Sequence, residues 1–218
     1  MLKAVIFDLD GTLLDTLEDI AISCNYVLGH YGQTPRKVEE YRVLVGQGAV
    51  QLLRDLLPAL SQKEQQEAMM LFEKHYAKQF DKSTHIYENI SKVLTFFQAR
   101  EIKMAILSNK PNSFTKKCVM KYLRDWKFDA VYGIRDGIPR KPSEAGVIEI
   151  LNELHVEVDE AIFIGDTSID MMTAKNAKID SIGVLWGFRD EDELVRYGAT
   201  YIAKNPIDII KIVSKSIA

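Results

Sequence analysis

Five short apolar runs that alternate with amphipathic stretches, and one long helical interruption among them, predict an α/β fold. The expected architecture is a Rossmann-like, doubly wound parallel sheet with an inserted helical cap domain. The runs cover residues 3–7, 103–107, 128–132, 161–164 and 181–185. They are rich in Val, Ile and Phe and lack polar alternation, the pattern of strands buried on both faces. Stretches of helical spacing over residues 111–123, 143–154, 168–177 and 206–216 follow the last four runs in turn. Strand then helix, repeated, calls for crossover connections and a parallel sheet with helices on both faces. Residues 15–85 break this rhythm. They hold no strand run, and the segments QLLRDLL (51–57) and MMLF (69–72) fit helices whose apolar faces pack on each other. Pro35, Gly46, Gly48 and Pro58 fall at the ends of such helices. The expected division is a core of residues 1–14 and 86–218, and a cap of residues 15–85.

The composition excludes several classes of function. The chain has 218 residues, with 28 Lys and Arg against 31 Asp and Glu, a net charge of −3. With a pI near 5.9, it lacks the basic surface that a phosphate backbone selects, so no nucleic-acid partner is expected. Hydrophobic residues make up 47%, enough for a sizeable core without disulfide or metal staples. The first residues reach Asp8 too soon for a signal-peptide core. No apolar run approaches the ~20 residues of a membrane span, so no membrane partner is expected. Cys24 and Cys118 form no C-x-x-C pair, which fits a reducing, cytoplasmic location. The chain is compatible with a monomer or a homodimer.

Ligands of open parallel sheets bind beyond the carboxyl ends of the strands. The first run is followed there by Asp8-Leu9-Asp10-Gly11-Thr12 and the second by Ser108-Asn109-Lys110. Arg140-Lys141-Pro142 lies after the third, and Gly165-Asp166-Thr167-Ser168-Ile169-Asp170 after the fourth. Asp8 and Asp10 are two apart in a chain still extended, so both lean toward one pocket. Gly11 supplies a tight turn and Thr12 a hydroxyl to brace it. Taken singly, each group has a structural reading, since aspartates commonly cap turns and helix starts. Taken together they converge on one sheet edge. Several carboxylates there repel unless a hard cation neutralises them, and oxygen ligands suit Mg²⁺. A hydroxyl, a lysine and a helix N-terminus beside that cation make a site for phosphate. This is the equipment of phosphoryl transfer.

The segments FDLDGTLLDT (7–16), LSNK (107–110), RKP (140–142) and GDTSID (165–170) resemble, in order and over nearly the whole chain, the four motifs of the haloacid dehalogenase superfamily. The second aspartate of the first motif resembles the phosphatase branch. The resemblance implies that Asp8 is the nucleophile, forming a phosphoaspartyl intermediate, and that Asp10 is the general acid and base. It implies that Ser108 and the Asn109 amide hold the phosphoryl oxygens while Lys141 cancels charge. Mg²⁺ would be held by Asp8, the Asp10 carbonyl and Asp166, with Asp170 as an outer ligand.

The helical insertion, the loop Val45-Gly46-Gln47-Gly48, the segment GVLWGFR (183–189) and Gly198-Ala199 resemble phosphoglycolate-phosphatase-like members. The resemblance therefore implies a small phosphorylated metabolite as substrate, with 2-phosphoglycolate first. Inorganic pyrophosphate, a sugar phosphate or a phosphomutase reaction are the alternatives. Thr12, Gly46, Gln47 and Gly48 are expected at the substrate beside Ser108, Asn109 and Lys141. A receiver-like regulatory module also combines a phosphorylatable aspartate, an acidic pocket and a lysine, but it gives Asp10 no task and has no cap. One stretch departs from the pattern. Where relatives often carry Pro-Tyr-x-Gly-Val at the return from cap to core, this chain has Ile86-Tyr87-Glu88-Asn89-Ile90, without the pre-set proline or the permissive glycine. His30, His75, His85 and His155 are scattered and predict no zinc site. No phosphate-binding G-x-x-x-x-G-K-[ST] loop occurs. Trp126 and Trp186 are expected to pack.

Overall fold

The computed structural model describes residues 1–217. In chain order its strands are β1 (Ala4–Phe7), β2 (Leu14–Asp15), β3 (His85–Ile86), β4 (Lys103–Pro111), β5 (Ala130–Ile134), β6 (Ala161–Gly165), β7 (Asp180–Val184) and β8 (Tyr201–Ala203). Six of them form one parallel sheet in the order β5-β4-β1-β6-β7-β8, while β2 and β3 pair antiparallel with each other. From β1 the chain moves outward through β4 to β5, then returns to the other side of β1 for β6, β7 and β8. The order therefore reverses at β1, and a crevice opens beyond its carboxyl end. Register keeps that edge level, because Phe7 faces both Ile106 and Ile164.

Successive residues of β1 point to opposite faces, and each face has its own apolar cluster. Val5 and Phe7 join Met104, Ile106, Ile162, Ile164 and Ile182 under the helices α4 (Ile90–Gln98) and α9 (Pro206–Ile217). Ala4 and Ile6 join Ala105, Leu107 and Phe163 under α6 (Ala145–Leu154) and α7 (Ser168–Ala177). Both faces are covered, as unbroken apolar strands require. The five expected strands are present within two residues, although β4 continues through Ser108–Asn109–Lys110 to Pro111. Its pairing with β5 shifts register between Leu107 and Pro111, a bulge-like irregularity that re-aims side chains beside a site. Core elements beyond the sequence reading include α4, a 3₁₀ turn (Val158–Glu160), α8 (Glu191–Arg196) and the three-residue edge strand β8.

Between β2 and β3 the regular elements are all helical. They are α1 (Leu17–His30), a 3₁₀ turn (Val38–Tyr41), α2 (Ala49–Leu56) and α3 (Gln62–Gln79). Ser61 starts α3 with a reciprocal capping box to Glu64, and Gly48 precedes α2 at φ 85°. The helices share an apolar cluster that includes Cys24, Val27, Leu53, Phe72 and Tyr76, and Phe114 and Phe188 of the core extend into it. At the base, the fully buried Asp19 accepts from Gln79 Nε2 (3.0 Å), Ser83 N (3.0 Å), Thr84 N (2.9 Å) and Thr84 Oγ1 (2.7 Å). Both ends of the helical segment are thus tied to one carboxylate. The departure noted at residue 89 has a local answer: Asn89 sits at φ 65° as the residue preceding α4. Asparagine is among the few non-glycine residues that enter this left-handed region readily.

Cys24 and Cys118 are buried free thiols. Trp126 and Trp186 pack against the core, with their indole N–H groups donating to Thr95 Oγ1 and the Thr12 carbonyl. Among the described residues, no helix is long and apolar enough to cross a membrane.

Candidate active site

Asp8 follows the last residue of β1, beside the end of β6 and the irregular continuation of β4. Ligand oxygens of Asp8, Asp166 and Asp170 lie within 4.8 Å of one another, the one such acidic or metal-ligating group of three among the described residues. All three are buried. Their balancing charge is Lys141, whose Nζ lies 2.9 Å from Asp8 Oδ1 and 2.6 Å from Asp170 Oδ1. Three carboxylates against one ammonium leave an excess of two negative charges when all are ionised, which a divalent cation cancels.

Each carboxylate is held by its surroundings. Asp166 follows β6 and accepts from Thr12 Oγ1 (3.0 Å) and Phe188 N (2.8 Å). Gly11, at φ 84°, lets its backbone approach so closely that a Cβ there would lie 2.2 Å from Asp166 Oδ2. Asp170 closes the capping box of α7, its Oδ2 accepting from Thr167 N (3.0 Å) and Thr167 Oγ1 (2.8 Å). That leaves Oδ1 to Lys141.

Burial raises Asp8 to about 7, against the pull of Lys141 and with the push of Asp170 and Asp10. Burial also holds Asp166 well above the usual carboxylate range, with Asp170 and Asp8 adding to it and the Phe188 and Thr12 donors opposing. Burial pulls Lys141 down, but Asp170 and Asp8 outweigh it and keep the ammonium protonated. Asp8 and Asp166 thus favour holding protons unless a cation replaces them, and this oxygen donor set fits Mg²⁺.

Asp10 is arranged separately. Its carboxylate lies away from the three and accepts from Lys110 Nζ at 2.9 and 3.1 Å. The same Nζ donates to Tyr76 Oη at 2.7 Å. Lys110 comes from the irregular end of β4 and Tyr76 from α3, so a side chain of the helical segment touches the partner of Asp10. Both are buried. Burial lowers Lys110, yet Asp10 and Tyr76 more than compensate and hold it above the ordinary lysine value.

A cavity of ≈ 50 Å³ separates these groups from the helical segment. Asp8, Asp10, Ser108, Asn109 and Lys110 of the core line it together with Gly46 and Gly48 of the helical segment. A Cβ on Gly48 would come within 2.7 Å of the Asn109 carbonyl. The Asn109 side-chain Nδ2 donates to the carbonyls of Gly46 (3.2 Å) and Lys141 (3.1 Å). Arg140 donates to the Gln47 carbonyl at 2.9 Å. Arg189 donates to the carbonyls of Arg42, Val43 (3.1 Å) and Val45 (2.8 Å), and Arg42 donates to that of Gly187.

Most expected site residues therefore converge. Thr12 is placed differently: it is fully buried, off the cavity lining, and its hydroxyl serves Asp166. Gln47 is an exposed side chain off the lining that contributes its carbonyl to Arg140. Sequence reasoning assigned no role to Lys110, Tyr76 or Arg189. Lys110 carried a signal, an ammonium at the end of an apolar strand, and Arg189 lay in a quoted motif. Tyr76 carried none, because its contact is tertiary.

The model of the haloacid dehalogenase-like hydrolase family matches residues 5–184. A phosphoglycolate phosphatase of Vibrio parahaemolyticus is 26% identical to the chain, covering 99% of it and 97% of its own length. One of Aquifex aeolicus is 27% identical, covering 99% of both. The crystal structure of a Lactobacillus delbrueckii protein, provisionally assigned as a phosphoglycolate phosphatase, superposes with a TM-score of 0.91. It is 29% identical and covers 97% of this chain and 98% of its own.

Proposed function

The chain belongs to the haloacid dehalogenase-like hydrolases, and on that premise we propose that it is a Mg²⁺-dependent phosphomonoester hydrolase acting on a small phosphorylated metabolite through an aspartyl-phosphate at Asp8. The observation that carries this reading is the buried group Asp8, Asp166 and Asp170, braced by Lys141 and open at Asp8 to the cavity.

Asp8, Asp166 and the Asp10 carbonyl would hold the ion, with Asp170 behind them. When bound, Mg²⁺ supplies the charge neutralisation that lets a carboxylate approach a phosphate dianion. The other steps belong to the chain. An Asp8 oxygen attacks phosphorus as the bond to the leaving oxygen breaks, with the Ser108 hydroxyl and the Asn109 backbone N–H on the phosphoryl oxygens. Asp10 gives its proton to the departing alkoxide, then takes one from the water that hydrolyses the acyl phosphate. Lys110 and Tyr76 fix where that carboxylate points. We assign residues 15–85 as a cap and residues 1–14 with 86–218 as the catalytic core. Gly46 and Gly48 bring the cap backbone to the substrate. The two buried free thiols fit a cytoplasmic location.

The test is phosphate release from 2-phosphoglycolate (the compound in the relatives' names), pyrophosphate, sugar phosphates and a chromogenic ester, with Mg²⁺ and with EDTA. Release that requires Mg²⁺ and disappears in Asp8→Asn is the expected result. Release unaffected by Asp8→Asn would remove the nucleophile from the account.

A further inference from the structure

Residues 187–189 take no part in the chemistry above, yet they join the helical segment to Asp166. Gly187 and Phe188 share one planar peptide. Its carbonyl accepts from the Arg42 guanidinium, and its N–H donates to Asp166 Oδ2 at 2.8 Å. A plane cannot tilt at one end alone, so what holds the carbonyl also aims the N–H. The peptide has little slack: a Cβ on Gly187 would lie 2.3 Å from Asp166 Cβ and 2.4 Å from the Gly11 carbonyl. The Phe188 ring is buried in the apolar cluster of the helices. Arg189 donates back to the carbonyls of Arg42, Val43 (3.1 Å) and Val45 (2.8 Å), so each arginine holds the other's segment. The same loop reaches Asp170 by a second route. A Cβ on Gly46 would lie 3.3 Å from Thr167 Cγ2, and Thr167 donates to Asp170 Oδ2 through its N–H and its hydroxyl.

Resting on the reading of Asp8, Asp166 and Asp170 as the Mg²⁺ site, we infer that Arg42 is a positioning residue for Asp166, so that seating of the helical segment and binding of the ion reinforce each other. Asp166 accepts from Thr12 Oγ1 on Oδ1 and from Phe188 N on Oδ2, and a carboxylate fixed on both oxygens needs no reordering when the ion arrives. A guanidinium on the carbonyl also polarises the peptide and strengthens the bond from its N–H. Lifting the helical segment withdraws Arg42, frees the peptide and loosens the carboxylate. Linkage makes the effect reciprocal: an ion that favours the fixed carboxylate favours the seated segment by the same factor. The sign separates this from plain electrostatics. A cationic side chain repels Mg²⁺, so removing its charge alone tightens binding, whereas losing its positioning weakens binding.

The test is Mg²⁺ titration of the full chain by calorimetry, without substrate. Arg42→Ala should raise the Kd about 5- to 10-fold. Arg42→Lys, which keeps a donor for the Gly187 carbonyl, should recover part of that loss. Arg54→Ala removes the same charge from an exposed position on α2 and should leave the Kd unchanged or slightly lower. In wild type, saturating Mg²⁺ should slow amide hydrogen exchange over residues 42–48 by about fivefold or more, and Arg42→Ala should lose this protection. A folded Arg42→Ala protein that binds Mg²⁺ as tightly as wild type, or more tightly, overturns the inference and leaves the phosphatase reading standing. Wild-type exchange over residues 42–48 that ignores the ion does the same, whether or not the variant folds. A wild-type chain that binds no Mg²⁺ overturns the metal reading as well.

Discussion

Replacing Lys110 with methionine isolates the device that holds Asp10. Methionine keeps an unbranched apolar stem and removes the ammonium, so the Asp10 carboxylate loses both short contacts and Tyr76 Oη loses its donor. At 2.9 Å, unit charges attract by about 6 kcal/mol for an effective dielectric constant near 20. Burial of the ammonium offsets part of that, since the Lys110 side chain is 4% exposed while that of Asp10 keeps 18%. Stripping one partner from a buried pair costs about 3–5 kcal/mol, and the residual solvation of Asp10 argues for about 3. For a chain of this size that is roughly 6–12 °C in Tm. Catalysis should suffer as well. With the acid–base group unanchored, kcat on an alkyl phosphate should fall by about 10²- to 10³-fold. Formation of the phosphoenzyme from 4-nitrophenyl phosphate, whose leaving group needs no proton, should fall far less. Stopped-flow burst kinetics beside steady-state turnover separate the two steps. Tyr76→Phe removes one charge-assisted bond and should cost about 1.5 kcal/mol. A folded Lys110→Met enzyme with wild-type kcat on an alkyl phosphate would refute the positioning argument.

Mg²⁺ at 100 times its Kd should stabilise the protein by about 2.7 kcal/mol, and Asp166→Asn should erase that gain in a thermal melt. The pH dependence has a definite sign. Asp8, raised by burial to about 7, and Asp166, raised likewise, keep protons in the folded chain that the unfolded chain has already lost. Without metal, their contribution to stability is therefore greatest at low pH and declines as pH rises from about 4 to about 7. Mg²⁺ affinity, followed by calorimetry, should rise through the same window by up to about tenfold per pH unit for each proton displaced. Gly48→Ala forces a Cβ to within 2.7 Å of the Asn109 carbonyl at φ +85°. It should lower kcat/KM at least about tenfold, with backbone strain of about 1–2 kcal/mol in the melt. Arg189→Ala frees the carbonyls of Arg42, Val43 and Val45. It should raise KM several-fold while aspartyl-phosphate hydrolysis continues.

Much of this was legible before any coordinates. Strands β1, β4, β6 and β7 announce themselves because a buried parallel strand must be apolar on both faces. Asp8, Ser108, Lys141 and Asp166 follow from asking what comes next at each strand end. Strand β8 escaped because three residues are too few to show a pattern. Helix α4 carries buried Ile90, Val93, Leu94 and Phe97 at helical spacing, but it begins immediately after the hinge and merges with it in sequence. The Thr12 hydroxyl was assigned to substrate because sequence gives its neighbours along the chain and not Asp166, which reaches it from β6. The Lys110–Tyr76 contact likewise joins the core to α3, and its cause lies in how the helical segment docks. Chain-local chemistry was readable, while contacts between the two parts required the fold.

The central claim is covalent: phosphate passes through Asp8. Wild type and Asp10→Asn would be mixed with 4-nitrophenyl phosphate and Mg²⁺, quenched within milliseconds into borohydride, and digested for mass spectrometry. An acyl phosphate at Asp8 is reduced to homoserine, so the account predicts homoserine at position 8, enriched in Asp10→Asn and absent with EDTA. Unmodified aspartate at position 8, in an enzyme releasing phosphate at the full rate, would contradict it.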